Sequence, residues 1–300
     1  MVSRPRQIKA RYDEGQNISR LLRDENGDEH NTAEVIEIAY DLQAGSYIEA
    51  LDRQDVRAHQ QIRVAEIARV VRSMCTPSSI MEAGVGEATT LSGVLQNLGT
   101  EVMSYGFDLS WSRVAYANRW LLSNGIGSTK LCTGNLLDIP FGECSVDVVY
   151  TSHAIEPNGG KEVQILTELF RVARSFLILV EPDYENASSE ARSRMDYHGY
   201  CRDLRGKAES LGYEVIASHP FPSINPLNPS AITIIRKEQV ESPPAHIFAC
   251  PRFKTALEDR GGALYSPEAL AVYPIIQGIP CLRIENGILA SKYPDLTPSD

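Results

Sequence analysis

The sequence predicts an α/β fold: a seven-stranded, mostly parallel sheet whose last strand is antiparallel, with helices ahead of it and a small α+β module behind. Three observations predict it. Between residues 63 and 237, apolar runs of strand length alternate with amphipathic helical patterns, as expected for strand–helix–strand units. The first run, Ile80-Met81-Glu82, enters a Gly84-Val85-Gly86 turn that a helix follows at once. The last two runs, opening at Gly212 and spanning 231–236, are joined by HPFPSINPLNPS, which has no helical pattern, so they form a hairpin and reverse the final strand.

Three hundred residues, 43% hydrophobic and 23% charged, suffice for one large core and a small extra module. A formal charge of −10 argues against nonspecific adhesion to nucleic acid or anionic membrane, which favours a small or uncharged partner. No apolar run approaches the length of about 20 residues that crosses a bilayer. MVSRPRQIKARYDEG has no signal-peptide core, so a cytoplasmic chain with no membrane partner is expected. The cysteines, Cys75, Cys132, Cys144, Cys201, Cys250 and Cys281, lack the close pairing of zinc sites and read as reduced thiols.

Residues 1–30 are polar, and DENGDEH at 24–30 supplies no apolar face, which predicts a surface loop. Asn31 or Thr32, with Glu34 just after, starts a helix whose apolar positions are Val35, Ile36, Ile38, Ala39 and Leu42 and which stops near Gly45. Two more helices are expected over 46–51 and 56–74. Residues 1–62 are thus a helical cap, either covering a sheet edge or forming a lid over a ligand. Tyr40, Gln43 and Tyr47 beside Gly45 suit a lid, and Tyr40 and Tyr47 are candidate substrate contacts.

In the sheet region, the glycine turn is followed by a helix over 88–98, a strand over 101–107 ending in Asp108, and a helix over 112–124 capped by Gly125. A strand over 129–132 leads to Gly134-Asn135. Further along come a strand at 146–150, a helix at 161–174, a strand at 176–180 too apolar for an edge, and a helix at 204–211. Glycines in the first turn let a ligand approach the backbone, and the helix behind it offers free N–H groups. Asp108 suits a carboxylate accepting two ribose hydroxyl hydrogen bonds.

Together, Glu82-x-Gly84-x-Gly86 and the acid Asp108 at the end of the second strand resemble the first two motifs of class I S-adenosylmethionine-dependent methyltransferases, of the type 11-like kind. Gly134-Asn135, Ile139-Pro140-Phe141 and Val146-Asp147-Val148-Val149 extend the resemblance, which covers residues 63–237. Two departures are Ala88 for a third glycine and Asn135 for the acid that would bind the adenine amino group. The resemblance implies a Rossmann-like methyltransferase sheet with S-adenosylmethionine as cofactor. It places Glu82, Ala83, Gly84 and Gly86 along the methionine side, Asp108 and Leu109 at the ribose, Asn135 and Leu136 at the adenine, and Ser152 at the end of the fourth strand.

Strand ends in such a sheet face the ligand crevice, so His153 and Glu156 are placed where chemistry happens. His153 is a candidate general base or a hydrogen-bonding wall residue. Tyr197 and His198 are candidate acceptor contacts or surface packing.

Residues 237–246 read as a linker. In the following module, 246–293, Cys250-Pro251, Lys254, Leu257, Leu264 and Tyr273-Pro274-Ile275-x-x-Gly278-Ile279-Pro280 resemble the small zinc-ribbon activators of tRNA, rRNA and release-factor methyltransferases. Only Cys250 stands at a ligand position, with Phe253 and Ser266 at two others, so a degenerate module without metal is expected.

The expected function is methyl transfer to a hydroxyl or amine of a small molecule, such as a sugar or a secondary metabolite. Alternatives are a macromolecular acceptor (tRNA, rRNA or protein) and a cofactor-binding protein without turnover. A homodimer is the candidate assembly.

Overall fold

The computed structural model describes residues 5–99, 102–222, 225–238 and 246–296. Most of the expected linker therefore lies outside the described residues. Five helices lead: α1 (Pro5–Asp13), α2 (Ile18–Asn26), α3 (Ala33–Leu42), α4 (Ser46–Ala50) and α5 (Gln54–Met74). Then follow β1 (Ser79–Ala83), α6 (Thr89–Leu98), β2 (Met103–Asp108), α7 (Trp111–Ser123), β3 (Lys130–Thr133), β4 (Val146–Ser152), α8 (Glu162–Val172), β5 (Ala173–Pro182), α9 (Ser189–His198), α10 (Leu204–Ser210), β6 (Glu214–Phe221) and β7 (Ser230–Arg236).

The sheet runs β3-β2-β1-β4-β5-β7-β6. The first five strands are parallel, and β7 lies antiparallel between β5 and β6. Because successive side chains point to opposite faces, Ile80, Val148 and Ile178 pack with α5, α6 and α7, whereas Met81, Val149 and Leu177 pack with α8 and α10. All the parallel strands deliver their C-terminal ends to one edge. The reversed β7 brings its first residue, Ser230, to the same edge.

Within the region expected as a loop, Pro5–Asp13 and Ile18–Asn26 are helices. Ile8, Ile18 and Leu22 are buried against Val35 and Ala39 of α3, and Asn17 caps α2 through Arg20 N at 3.0 Å. Each helix contributes only one or two apolar residues, too few for a local periodicity, and they find their partners in α3. A second departure is α9, which carries Tyr197 and His198 and has little amphipathic pattern of its own.

The C-terminal segment forms β8 (Glu258–Asp259), β9 (Ala263–Ser266), β10 (Ala271–Ile276), β11 (Ile279–Pro280), β12 (Ile288–Leu289) and α11 (Tyr293–Leu296). It lies against the β3 edge. Thr133 bridges Cys281 in parallel register, Leu282 N donates to Thr133 O at 3.2 Å, and Phe248 meets Phe141 edge-on at 5.2 Å. Cys250, Leu264, Tyr273 and Leu282 join the core beneath Phe141. The small sheet therefore shares a core with the large one and covers its open edge. Cys250 Sγ is 3.8 Å from the Tyr273 hydroxyl, and Phe253 is exposed. The zinc-ribbon relationship rests on the sequence resemblance alone. Among the described residues no helix is long and apolar enough to cross a membrane.

Candidate active site

A cavity of about 120 Å³ opens at the C-terminal ends of β1, β2, β3 and β4 and is roofed by α3 and α4. Gly84, Asp108, Leu109, Asn135, Leu136, Ser152 and His153 line it, together with Tyr40 and Tyr47 from the roof. Strand ends bring residues up to 69 positions apart, Gly84 and His153, to one wall.

The turn after β1 is held from below. Asp108 accepts the N–H of Gly86 at 2.9 Å and that of Ser110 at 3.0 Å, and is itself buried. Gly84 has φ +73°, and a Cβ there would sit 2.4 Å from Cβ of Ala154, so only glycine fits. Ala88 takes φ +58°, a conformation that favours glycine, and it opens α6.

Glu82 and Ala83 do not line the cavity. Glu82 is buried beneath the turn and accepts from the Tyr150 hydroxyl at 3.0 Å. Burial pushes its carboxyl up to about 8, against which Tyr150 and a backbone N–H work only in part. Gly86 is likewise absent from the lining, because the Arg113 guanidinium stands before it; a Cβ there would lie 2.5 Å from Nη2. Asn135 spends one lone pair locally, its Oδ1 accepting Leu137 N at 3.0 Å.

Beside this wall is a polar cluster. His153, at φ +56°, has its Nδ1 against the Glu156 carboxylate and its Nε2 2.8 Å from Ser230 Oγ. Glu156 is buried and lies behind the cavity lining, where Asn228 Nδ2 donates to it at 3.2 Å. Burial opposes its ionisation, yet His153 and the hydrogen bonds from Tyr200 and Asn228 hold its carboxyl below the usual range. Glu181, buried at the end of β5, accepts the N–H groups of Ala154, Ile155 and Glu156 at 3.0, 3.1 and 3.0 Å and so shapes the loop.

Tyr197 and His198 stand apart from the cavity. The Tyr197 ring is half exposed with the Arg20 guanidinium 4.9 Å above it. The backbone carbonyls of Tyr197 and His198 accept from Arg23 and Asn31, tying α9 to the N-terminal helices.

Sequence reasoning missed four polar residues. Glu87, buried, accepts the N–H groups of Gly45, Tyr47 and Ile48 at 3.0, 3.4 and 2.8 Å, supplying the cap that α4 lacks and locking the roof to the turn. Arg113 lies under Tyr47 and Tyr40, 4.7 and 5.2 Å from their ring centres, and its buried Nε has no partner. Arg283 of the C-terminal segment pairs with Glu37 of α3 and donates to Leu109 O at 3.4 Å. Arg63 of α5 reaches Ser152. An uncapped helix start at Ser46 was the one readable signal, and it called for an acceptor from elsewhere in the chain.

Comparison with solved structures finds this fold in methyltransferases. The chain matches the magnesium protoporphyrin IX methyltransferase ChlM of Synechocystis PCC 6803 with bound SAH at TM-score 0.54 and 14% identity, over 69% of this chain and 100% of that one. With SAM bound, the same protein gives 0.51 and 16%, over 69% and 97%. A chain from a Haloferax volcanii complex between the Trm112 methyltransferase activator and a candidate methyltransferase gives 0.51 and 16%, over 66% and 96%. At these identities the likeness is one of fold. No family model and no curated protein matches the chain.

Proposed function

We propose that this chain, folded as S-adenosylmethionine-dependent class I methyltransferases are, is such an enzyme and acts on a small-molecule acceptor. The observation that carries the reading is the convergence of Gly84, Asp108, Asn135 and Ser152 on one cavity from four strand ends. The residues fit the cofactor: Gly84 leaves the backbone bare, Asp108 offers its remaining lone pairs to a ribose, and the unpartnered Arg113 Nε awaits an acceptor. When bound, the cofactor supplies a methyl group already made electrophilic by a sulfonium. The protein has then to align the acceptor, exclude water and, for a hydroxyl or amine, take up a proton. Tyr40 and Tyr47, the latter tied to Glu87 through its N–H, roof the cavity. The cavity volume of about 120 Å³ supports a small acceptor.

His153 is the candidate base. Facing a carboxylate, Nδ1 carries the proton, and Nε2 keeps a lone pair that Ser230 Oγ–H fills; an acceptor hydroxyl would take the place of Ser230. His153→Ala is expected to lower kcat by about 10²–10⁴-fold with cofactor affinity unchanged. Equal losses in both would reduce His153 to a wall residue.

Calorimetry with S-adenosylmethionine and S-adenosylhomocysteine, with NAD as control, tests the cofactor. Saturable binding of the first two alone is expected, and absence of binding overturns the reading. Asp108→Ala should weaken that binding by about 1.5–3 kcal/mol, as expected for losing a charged hydrogen-bond acceptor. Unchanged affinity would remove Asp108 from the ribose site.

A macromolecular acceptor is the second reading, supported by the activator-like C-terminal segment and by the fold likeness to a chain from a Trm112 complex. Methylation of tRNA, rRNA or protein without small-molecule turnover would establish it. Cofactor binding with no turnover of either kind would leave a binding protein.

A further inference from the structure

Midway along α5, Arg63 turns its guanidinium to the end of β4. Nη1 donates to Ser152 Oγ at 3.0 Å, Nη2 lies 3.4 Å from His153 Nε2, and the Phe221 ring centre is 5.9 Å away. One turn earlier on the same face, His59 has a buried Nε2 without a partner. Burial and then Arg63 hold His59 below its ordinary range, against a backbone hydrogen bond at Pro222. Among the described residues Arg63 makes no ion pair.

The carboxylates whose fields reach Arg63 are Glu156, Glu181 and Glu82, and each is engaged elsewhere. Glu156 is taken by His153 and Asn228. Glu181 receives three backbone N–H groups. Glu82, with its carboxyl pushed up to about 8, is neutral at pH 7. Arg63, partly buried, thus contacts a hydroxyl and an imidazole directly and, among the described residues, no carboxylate.

The strand order says whose anion it is. Gly84, Asp108 and Asn135 end β1, β2 and β3, the cofactor half of the edge, and that half has its own cation in Arg113, whose buried Nε has no hydrogen-bond partner. Ser152, Phe221 and Ser230 stand at the corresponding ends of β4, β6 and β7, the other half. We infer, on the methyltransferase reading above, that the acceptor carries a carboxylate and that Arg63, with Ser152 beside it, receives that carboxylate.

The full-length protein, saturated with S-adenosylhomocysteine, is titrated with 4-hydroxybenzoate, salicylate, 3-phenyllactate and octanoate, each against its primary amide. At least one acid is expected to bind tenfold or more tightly than its amide. In Arg63→Gln that preference should fall to within twofold, and Arg63→Lys should keep part of it. Both variants should bind S-adenosylhomocysteine within threefold of the parent, which also shows that they fold. Acids and amides bound alike throughout the panel, or not bound at all, overturn the inference, as does an acid preference that survives in Arg63→Gln. If Arg63→Gln instead loses S-adenosylhomocysteine tenfold, the guanidinium serves the cofactor's own carboxylate and the inference fails. No S-adenosylhomocysteine binding by the parent would be a separate failure, that of the methyltransferase reading.

Discussion

Gly84→Ala is expected to abolish cofactor binding and to destabilise the protein by about 2–4 kcal/mol, combining a left-handed backbone penalty of about 1 kcal/mol with overpacking of about 1–3 kcal/mol. The added Cβ would lie 2.4 Å from Cβ of Ala154, an atom bonded directly to the main chain, so the clash cannot be relieved by rotating a side chain. The turn or the β4 loop must move, and both line the cavity. Gly99→Ala is the matched control. Its φ is +64°, but nothing lies within 4 Å of the added atom, so the backbone penalty alone remains. Denaturant titration of the two variants, with calorimetry against S-adenosylhomocysteine, separates the effects. Equal losses of stability would show that Gly84 is required for its φ and not for the close approach.

The second large effect is a pH dependence from Glu82. Its carboxyl stands at about 8 in the folded chain against an ordinary 4.5, so the folded state binds the proton more tightly than the unfolded state. The contribution to stability is fully present below about pH 4.5 and is lost as the pH rises to about 8, at roughly 1.4 kcal/mol per pH unit, on the order of 5 kcal/mol in all. Glu82→Gln keeps an acceptor for the Tyr150 hydroxyl and cannot ionise. Urea unfolding of both proteins at pH 5, 7 and 9 should show the variant gaining on the parent as pH rises. Other carboxyls titrate too, with Glu181 raised by burial and Glu156 lowered by its partners, but they are common to both proteins and cancel in the difference. Parallel curves would mean that burial leaves the Glu82 carboxyl unshifted on folding.

The sheet was legible because its signals are local. The alternation of apolar runs, the glycine turn and the helix-free hairpin loop are short-range patterns, and they yield the succession of strands and helices along the chain and the reversed last strand. Gly84, Asp108, Asn135, Ser152 and His153 were legible for the same reason, since each sits at a strand end that the pattern marks. Glu82 was misplaced by one step: it belongs to the turn in sequence but points beneath it, because neighbouring strand residues face opposite sides. Tyr197 and His198 lay near the crevice only in sequence, and α9 carries them onto the N-terminal helices.

The sequence by itself determined the succession of strands and helices and which strand ends carry the cavity residues, because spacing along the chain marks each strand–helix–strand unit. Only the tertiary structure decided the charges. Glu87, Arg63, Arg113 and Arg283 sit in a turn, on helices or in a distant segment where charged residues ordinarily face water, and nothing local separates them from the solvated ones. Their partners from the rest of the chain lie 39–42, 89–90, 66–73 and 174–246 positions away, while Arg283 pairs locally with Glu285 as well. The same long-range packing buries Ile8, Ile18 and Leu22 against α3, as a few apolar residues are enough for a helix once a neighbour completes the core.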